Sequence, residues 1–198
     1  MTTSLGTLFP DNAVQALGGT RHDDGRIELP SAPRSDLFFD PKSGHREASA
    51  TELVGRVEEQ EFQLSARVTP ELATTFDAGV LVVRVDEDHW GKLCLEQSPA
   101  GAPTAVSVVT RGTSDDANGW VLPGPDAWLR ISREGEVFAF HVSNDGVTWD
   151  LLRIFHLPAP GAVDVALVAQ SPTGEGCAVS FSDVSFVQSA LADPRSGV

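Results

Sequence analysis

Two arginines, a lysine and a glutamate stand at alternating positions in three consecutive β-type runs, with a tryptophan among them. The runs are Gly79–Asp86, His89–Gln97 and Thr104–Arg111, divided by the turn formers Asp86-Glu87-Asp88 and Ser98-Pro99-Ala100-Gly101. Side chains alternate across a strand, so one face should carry Val82, Arg84, Asp86, Trp90, Lys92, Cys94, Glu96, Ser107, Val109 and Arg111. The other should carry Leu81, Val83, Val85, Leu93, Leu95, Val106 and Val108, which are wholly apolar and must cover a core. Centring the turns sets Arg84 opposite Lys92 and Trp90 opposite Arg111. Like charges facing each other across a ladder repel, so an acid or a ligand belongs between them. Asp36, Asp40 and Glu47 are the acids best placed by sequence. A guanidinium fork suits carboxylates and paired hydroxyls, a lysine adds a point charge, and an indole offers a flat apolar surface. The expected ligand-binding residues are therefore Arg84, Trp90, Lys92, Glu96 and Arg111, joined by Asp40 and His45. The expected ligand is a saccharide or sugar-like molecule, acidic ones included. A structural salt-bridge network is the competing reading of the same face.

Catalytic patterns are weaker. Glycosidases need two carboxylates about 5–9 Å apart, and this face shows no such pair, so no catalytic residue is assigned. A base drawn from His45 or Glu47, with Lys92 and Arg111 beside it, would suit lyase chemistry on an acidic sugar. His22, His45, His89, His141 and His156 lack zinc-ligand spacing, and the acids of residues 86–88 lack the oxygen set of a calcium loop. No metal and no cofactor is expected.

The elements that position these residues read as short strands throughout. Further runs are Arg26–Leu29, Ser49–Val54, Glu61–Thr69, Trp128–Arg133, Val137–Ser143, Thr148–Phe155, Val163–Gln170 and Ala178–Val187. No amphipathic helix of ten residues is present, and Gly112–Gly119 reads as a polar loop. This predicts an all-β fold, either a two-sheet antiparallel sandwich or a barrel. Residues 1–22 form an N-terminal segment with an edge strand in Leu5–Phe9, residues 23–189 the sandwich domain, and residues 190–198 a flexible tail. A net charge of −14 excludes a basic nucleic-acid footprint and adhesion to an anionic membrane. Cys94 and Cys177 have neither metal spacing nor a disulfide framework. Reduced thiols and a cytoplasmic location are the expectation.

Several motifs in order resemble a known family: SDLFFDP (Ser35–Pro41), AGVLVVRVDEDHW (Ala78–Trp90), SVVTRGTSD (Ser107–Asp115), WLRISREG (Trp128–Gly135), SNDGVTW (Ser143–Trp149), SPTGEG (Ser171–Gly176) and FSDVSF (Phe181–Phe186). Over roughly residues 26–188 they resemble the concanavalin A-like "regulation of enolase", or YesU-like, family, a domain of unknown function. The resemblance implies a jelly roll of two curved antiparallel sheets, with lectin and glycosidase sites of the wider superfamily on the concave one. It leaves three expectations for function. The first is a non-catalytic module binding a saccharide on the concave sheet, the second a regulatory domain that contacts a protein partner, and the third a carbohydrate-active hydrolase or lyase.

Overall fold

Apolar residues at every second position carry most of this chain into strands, and the computed structural model describes residues 4–198. Two short helices come first, α1 (Leu5–Leu8) and α2 (Asp11–Ala16). Strands follow as β1 (Thr20–Arg21), β2 (Ile27–Pro30), β3 (Leu37–Phe39), β4 (Arg46–Ala48), β5 (Thr51–Val57), β6 (Glu61–Pro70), β7 (Ala78–Arg84) and β8 (His89–Gln97). The remainder are β9 (Pro103–Arg111), β10 (Ser114–Val121), β11 (Ala127–Glu134), β12 (Val137–Ser143), β13 (Asp150–His156), β14 (Val163–Gln170) and β15 (Ala178–Val187). One sheet runs β1-β2-β15-β6-β11-β12-β13 and the other β10-β9-β8-β7-β14-β5, every pairing antiparallel. The hairpin β3-β4 belongs to neither. The protein is an antiparallel β-sandwich of concanavalin A-like type.

The main core lies between the sheets, where Leu64, Ile131, Phe138 and Phe140 from one meet Leu81, Val83, Leu93 and Leu95 from the other. Two glycines let the layers close. A Cβ on Gly79 would fall 2.4 Å from Val68 Cγ1, and one on Gly91 would fall 2.9 Å from Phe155 Cζ.

The observed register corrects two of the sequence expectations. In β7–β8, Arg84 pairs with Trp90 and Val82 with Lys92, a slip of two residues that leaves the faces unchanged. In β8–β9, Trp90 pairs with Thr110 and His89 with Arg111, a slip of one that inverts every side chain of β9. Val106 and Val108 therefore share a face with Lys92 and pack in a second apolar cluster. Val109 and Arg111 point the other way, Val109 into the main core.

Other segments also differ from expectation. Gly112–Gly119 is mostly strand β10, hydrogen-bonded to β9 as a polar edge. Of the N-terminal segment, residues 1–3 lie outside the described residues. Leu5–Leu8 is a helical turn capped by Ser4 Oγ, which accepts from the Thr7 amide, and the edge strand is β1 instead. Residues 190–198 lie against β11 and β12. There Arg130 donates to the Gly197 carbonyl at 2.7 Å, and His141 Nε2 bonds the Pro194 carbonyl at 2.7 Å. Burial pushes the His141 imidazole down to about 4.

Candidate ligand-binding site

The outer face of the six-stranded sheet is apolar at one end and polar at the other. Val80, Val82, Trp90, Ala166 and Val168 stand at the apolar end, where bare exposure to water would be unfavourable. The β3-β4 hairpin covers them. Leu37 and Phe39 face the sheet, and the Phe39 ring meets Trp90 edge-on with centroids 5.5 Å apart. The Phe39 amide donates to Ser114 Oγ at 2.9 Å, and Arg46 fastens the far side through Asp88 and the Gly112 carbonyl. Trp90 is thus wholly buried under this roof and cannot serve as a stacking platform for a sugar. Its indole N–H, buried as well, has no partner among the described residues.

Beyond the roof the face opens into a pocket of about 160 Å³. Val106 and Val108 form part of its floor, while Phe38, Phe76 and Pro172 supply apolar walls. Phe76 is partly exposed and holds φ at +71°, a conformation bulky residues rarely adopt. The polar lining comprises Asp36, Lys92, Glu96, Asp116 and Gln170. Strand pairing explains the convergence. Glu96 and Lys92 alternate on β8, Asp116 lies opposite Val108 on β10, and Gln170 lies opposite Ala78 on β14.

Lys92 is the buried centre of this group. Its ammonium donates to Asp36 Oδ1 at 3.2 Å and to Gln170 Oε1 at 3.1 Å. Burial acts to lower its pKa, but the Asp36 carboxylate, with smaller help from Glu96, more than offsets this and raises it. The carboxylates behave oppositely. Burial drives Glu96 up to about 7 against the pull of Lys92, with the charges of Asp116 and Asp36 adding to the rise. Burial raises Asp116 too, again opposed by Lys92. Beneath them the Cys94 thiol is raised strongly by burial, which leaves it inert as a nucleophile. No group of His, Cys, Asp and Glu among the described residues is arranged to hold a metal ion.

Of the residues named from sequence, the pocket contains Lys92 and Glu96. Arg84 shares their face but is consumed by a bidentate bond from Nη2 to Glu52, 2.9 and 2.7 Å. Arg111, on the inverted face of β9, reaches the His156 carbonyl at 2.6 Å instead. Asp40 closes the β3-β4 turn by accepting from Ser43 Oγ and from the Lys42 amide, bonds that lower its pKa. His45 stands exposed on that turn, 3.6 Å from Glu47. Neither Asp40 nor His45 lines the pocket. Asp116, Phe38, Phe76 and Gln170 were missed, Asp116 because its strand was read as a loop. Asp36 was named only as a counter-charge, and the face holds more carboxylates than expected.

The family model described as "protein of unknown function (DUF1349)" matches residues 19–189, most of the chain. The chain belongs to this family. A relative within reach of this DUF1349 protein is "Regulation of enolase protein 1" of Saccharomyces cerevisiae, 30% identical over 167 residues, which cover 80% of each chain. A solved structure of a functionally unknown protein from Saccharomyces cerevisiae superposes with a TM-score of 0.80 at 27% identity, covering 87% of this chain and 92% of that one. The alginate lyase of Klebsiella pneumoniae shares the fold at a TM-score of 0.58 and 13% identity, over 87% of this chain and 84% of its own. No helix among the described residues is long and apolar enough to cross a membrane.

Proposed function

We propose that this protein is a saccharide-binding module whose ligand occupies the pocket between Phe38, Phe76 and Glu96. The observation that carries this reading is the pairing of apolar walls with polar groups over one small concavity. Phe38 and Phe76 can pack on the C–H face of a pyranose, while Gln170, Glu96 and Asp116 offer hydrogen bonds to its hydroxyls. The pocket is smaller than the roughly 300–1,000 Å³ typical of drug-sized ligands, so it suits one ring of a larger glycan. An acidic sugar is the poorer fit. Arg84 is spent on Glu52, Lys92 on Asp36, and Arg111 lies on the other side of the sheet. The fold shared with an alginate lyase agrees with a carbohydrate ligand. A cytoplasmic location is part of the same proposal.

A glycan array probed with the purified protein tests this. Binding to a defined set of glycans that is lost in Phe76→Ala supports the module. Retention of all glycan binding in that variant would place the site elsewhere, and release of products from a bound glycan would make the protein an enzyme. The name of the yeast relative favours a second reading, a regulatory domain contacting a protein partner. An array without any glycan signal, with a partner protein captured by the same purified domain, would favour it.

A further inference from the structure

The charges around the pocket do not balance, and the imbalance specifies a feature of the ligand. Asp36, Glu96 and Asp116 are acidic, and Lys92 is the one basic residue lining it. Lys92 is already engaged by Asp36 and by Gln170, and it lies beneath the surface rather than at the opening. Among the described residues no protein group donates a side-chain hydrogen bond to the Glu96 carboxylate. Glu96 and Asp116 stand on β8 and β10, either side of β9, and both project over the Val106–Val108 floor. Two strand spacings and four residues of offset put their Cα atoms about 16 Å apart, so the side chains reach towards a common space without touching. Phe38 already faces one ammonium, with Lys92 Nζ 5.8 Å from its ring centre, and Phe76 adds a second ring at the pocket's edge. Aromatic faces beside carboxylates attract cations.

We propose that the ligand is an amino sugar, a hydroxylated ring carrying a protonated amine that meets Glu96 while Asp116 contributes to the same negative field. This rests on the saccharide reading above and sharpens it to one substrate class. An ammonium supplies what the pocket lacks, a positive charge for Glu96 that arrives without displacing Lys92 from Asp36. The acid of Glu96 is held protonated below about pH 7 by burial and by the nearby Asp116 and Asp36, with Lys92 opposing. An incoming cation favours its ionised form, while the ammonium of an amino sugar is no more basic than an α-amino group, about 7.7–8. Amine binding therefore strengthens as pH rises from 5 to 7 and weakens again above that as the amine loses its proton.

Three β-1,4-linked disaccharides differing at C2 test the proposal by calorimetry at pH 5 and 7: the glucosamine dimer, its N-acetylated form and cellobiose. The glucosamine dimer should bind at least tenfold more tightly than cellobiose at pH 7, with a smaller preference at pH 5. Glu96→Gln, checked by thermal melting, should erase the preference, so that the glucosamine dimer and cellobiose bind with equal affinity. Asp116→Asn, on an exposed edge strand, should reduce it in the same direction and serves if Glu96→Gln fails to fold. Equal affinity for all three sugars overturns the amine assignment and leaves the saccharide reading standing. Binding of ethylamine as tight as that of the glucosamine dimer overturns the sugar, and absence of binding by all three overturns both readings together.

Discussion

Asp36→Asn should destabilise the protein by about 2–3 kcal/mol, although Asp36 lies outside both sheets. The change keeps an oxygen near Lys92 and removes the negative charge. Breaking a buried ion pair by removing one partner costs about 3–5 kcal/mol, because the other charge is left uncompensated. Lys92 is only 3% exposed, so its ammonium cannot recover water. Asp36 is 21% exposed, and Glu96 and Asp116 share the field, which brings the cost below that range, to about 2–3 kcal/mol. For a domain near 200 residues each kcal/mol shifts Tm by about 2–4 °C, so a fall of about 4–12 °C is expected in a thermal melt. Lys92→Met should cost no more than about 1 kcal/mol, since an apolar chain of similar length replaces the buried ammonium and the abandoned Asp36 carboxylate still reaches water. The double variant should therefore recover most of what Asp36→Asn loses. Arg34→Ala is the control, because Arg34 and Glu175 form an ion pair with both side chains exposed, worth at most about 1 kcal/mol. The pH dependence has a definite sign. Folding raises the Lys92 pKa, so this contribution is complete at neutral pH and is lost only as pH climbs above the ordinary lysine value near 10.4. A melt in which Asp36→Asn behaves like Arg34→Ala, or in which Lys92→Met is the worse variant, would refute the reasoning.

Two further outcomes follow from buried titratable groups. Glu96 binds its proton more tightly folded than unfolded, so between about pH 4.3 and pH 7 the folded state holds more protons and stability falls as pH rises. Urea unfolding at pH 5 and pH 8 should show this, and Glu96→Gln should flatten the difference by an amount on the order of 3 kcal/mol at most. Cys94 and Cys177 are both free and both buried, so a thiol reagent should label neither in the native protein and both in denaturant. Rapid native labelling of Cys94 would mean that the β3-β4 roof does not stay closed.

The strands were legible because their turns are. His89–Gln97, Val137–Ser143, Val163–Gln170 and Ala178–Val187 have the same limits in sequence and structure. Faces were harder. In β9, Val106, Val108 and Val109 lie on both sides of the strand, since the outer side is itself roofed by Leu37 and Phe39. A strand buried on both faces loses its alternation, and a turn counted one residue out then turns Arg111 away from the site. The two-residue slip between β7 and β8 did no such harm. Lys92 and Glu96 were placed on the right side by parity alone. Asp116 was invisible because β10 is a solvent-facing edge whose residues carry no apolar rhythm. Gln170 and Phe76 arrive from β14 and from a loop, and nothing local in sequence ties either to β8. Which ion pairs are satisfied depends on such distant partners: Glu52 sits 32 positions from Arg84, and Asp36 lies 56 from Lys92.

The β3-β4 roof has a consequence for stoichiometry. An unroofed sheet would let a polysaccharide lie across its whole width, with many equivalent registers along each chain. Here Phe39 and Arg46 cover the far end, so on the proposed saccharide reading a terminal ring or a side branch would enter and the middle of a long glycan would not. The protein would then count chain ends rather than chain mass. Cleaving a polymer into shorter pieces would increase its capacity for this protein in proportion to the number of new termini, with the affinity of each unchanged.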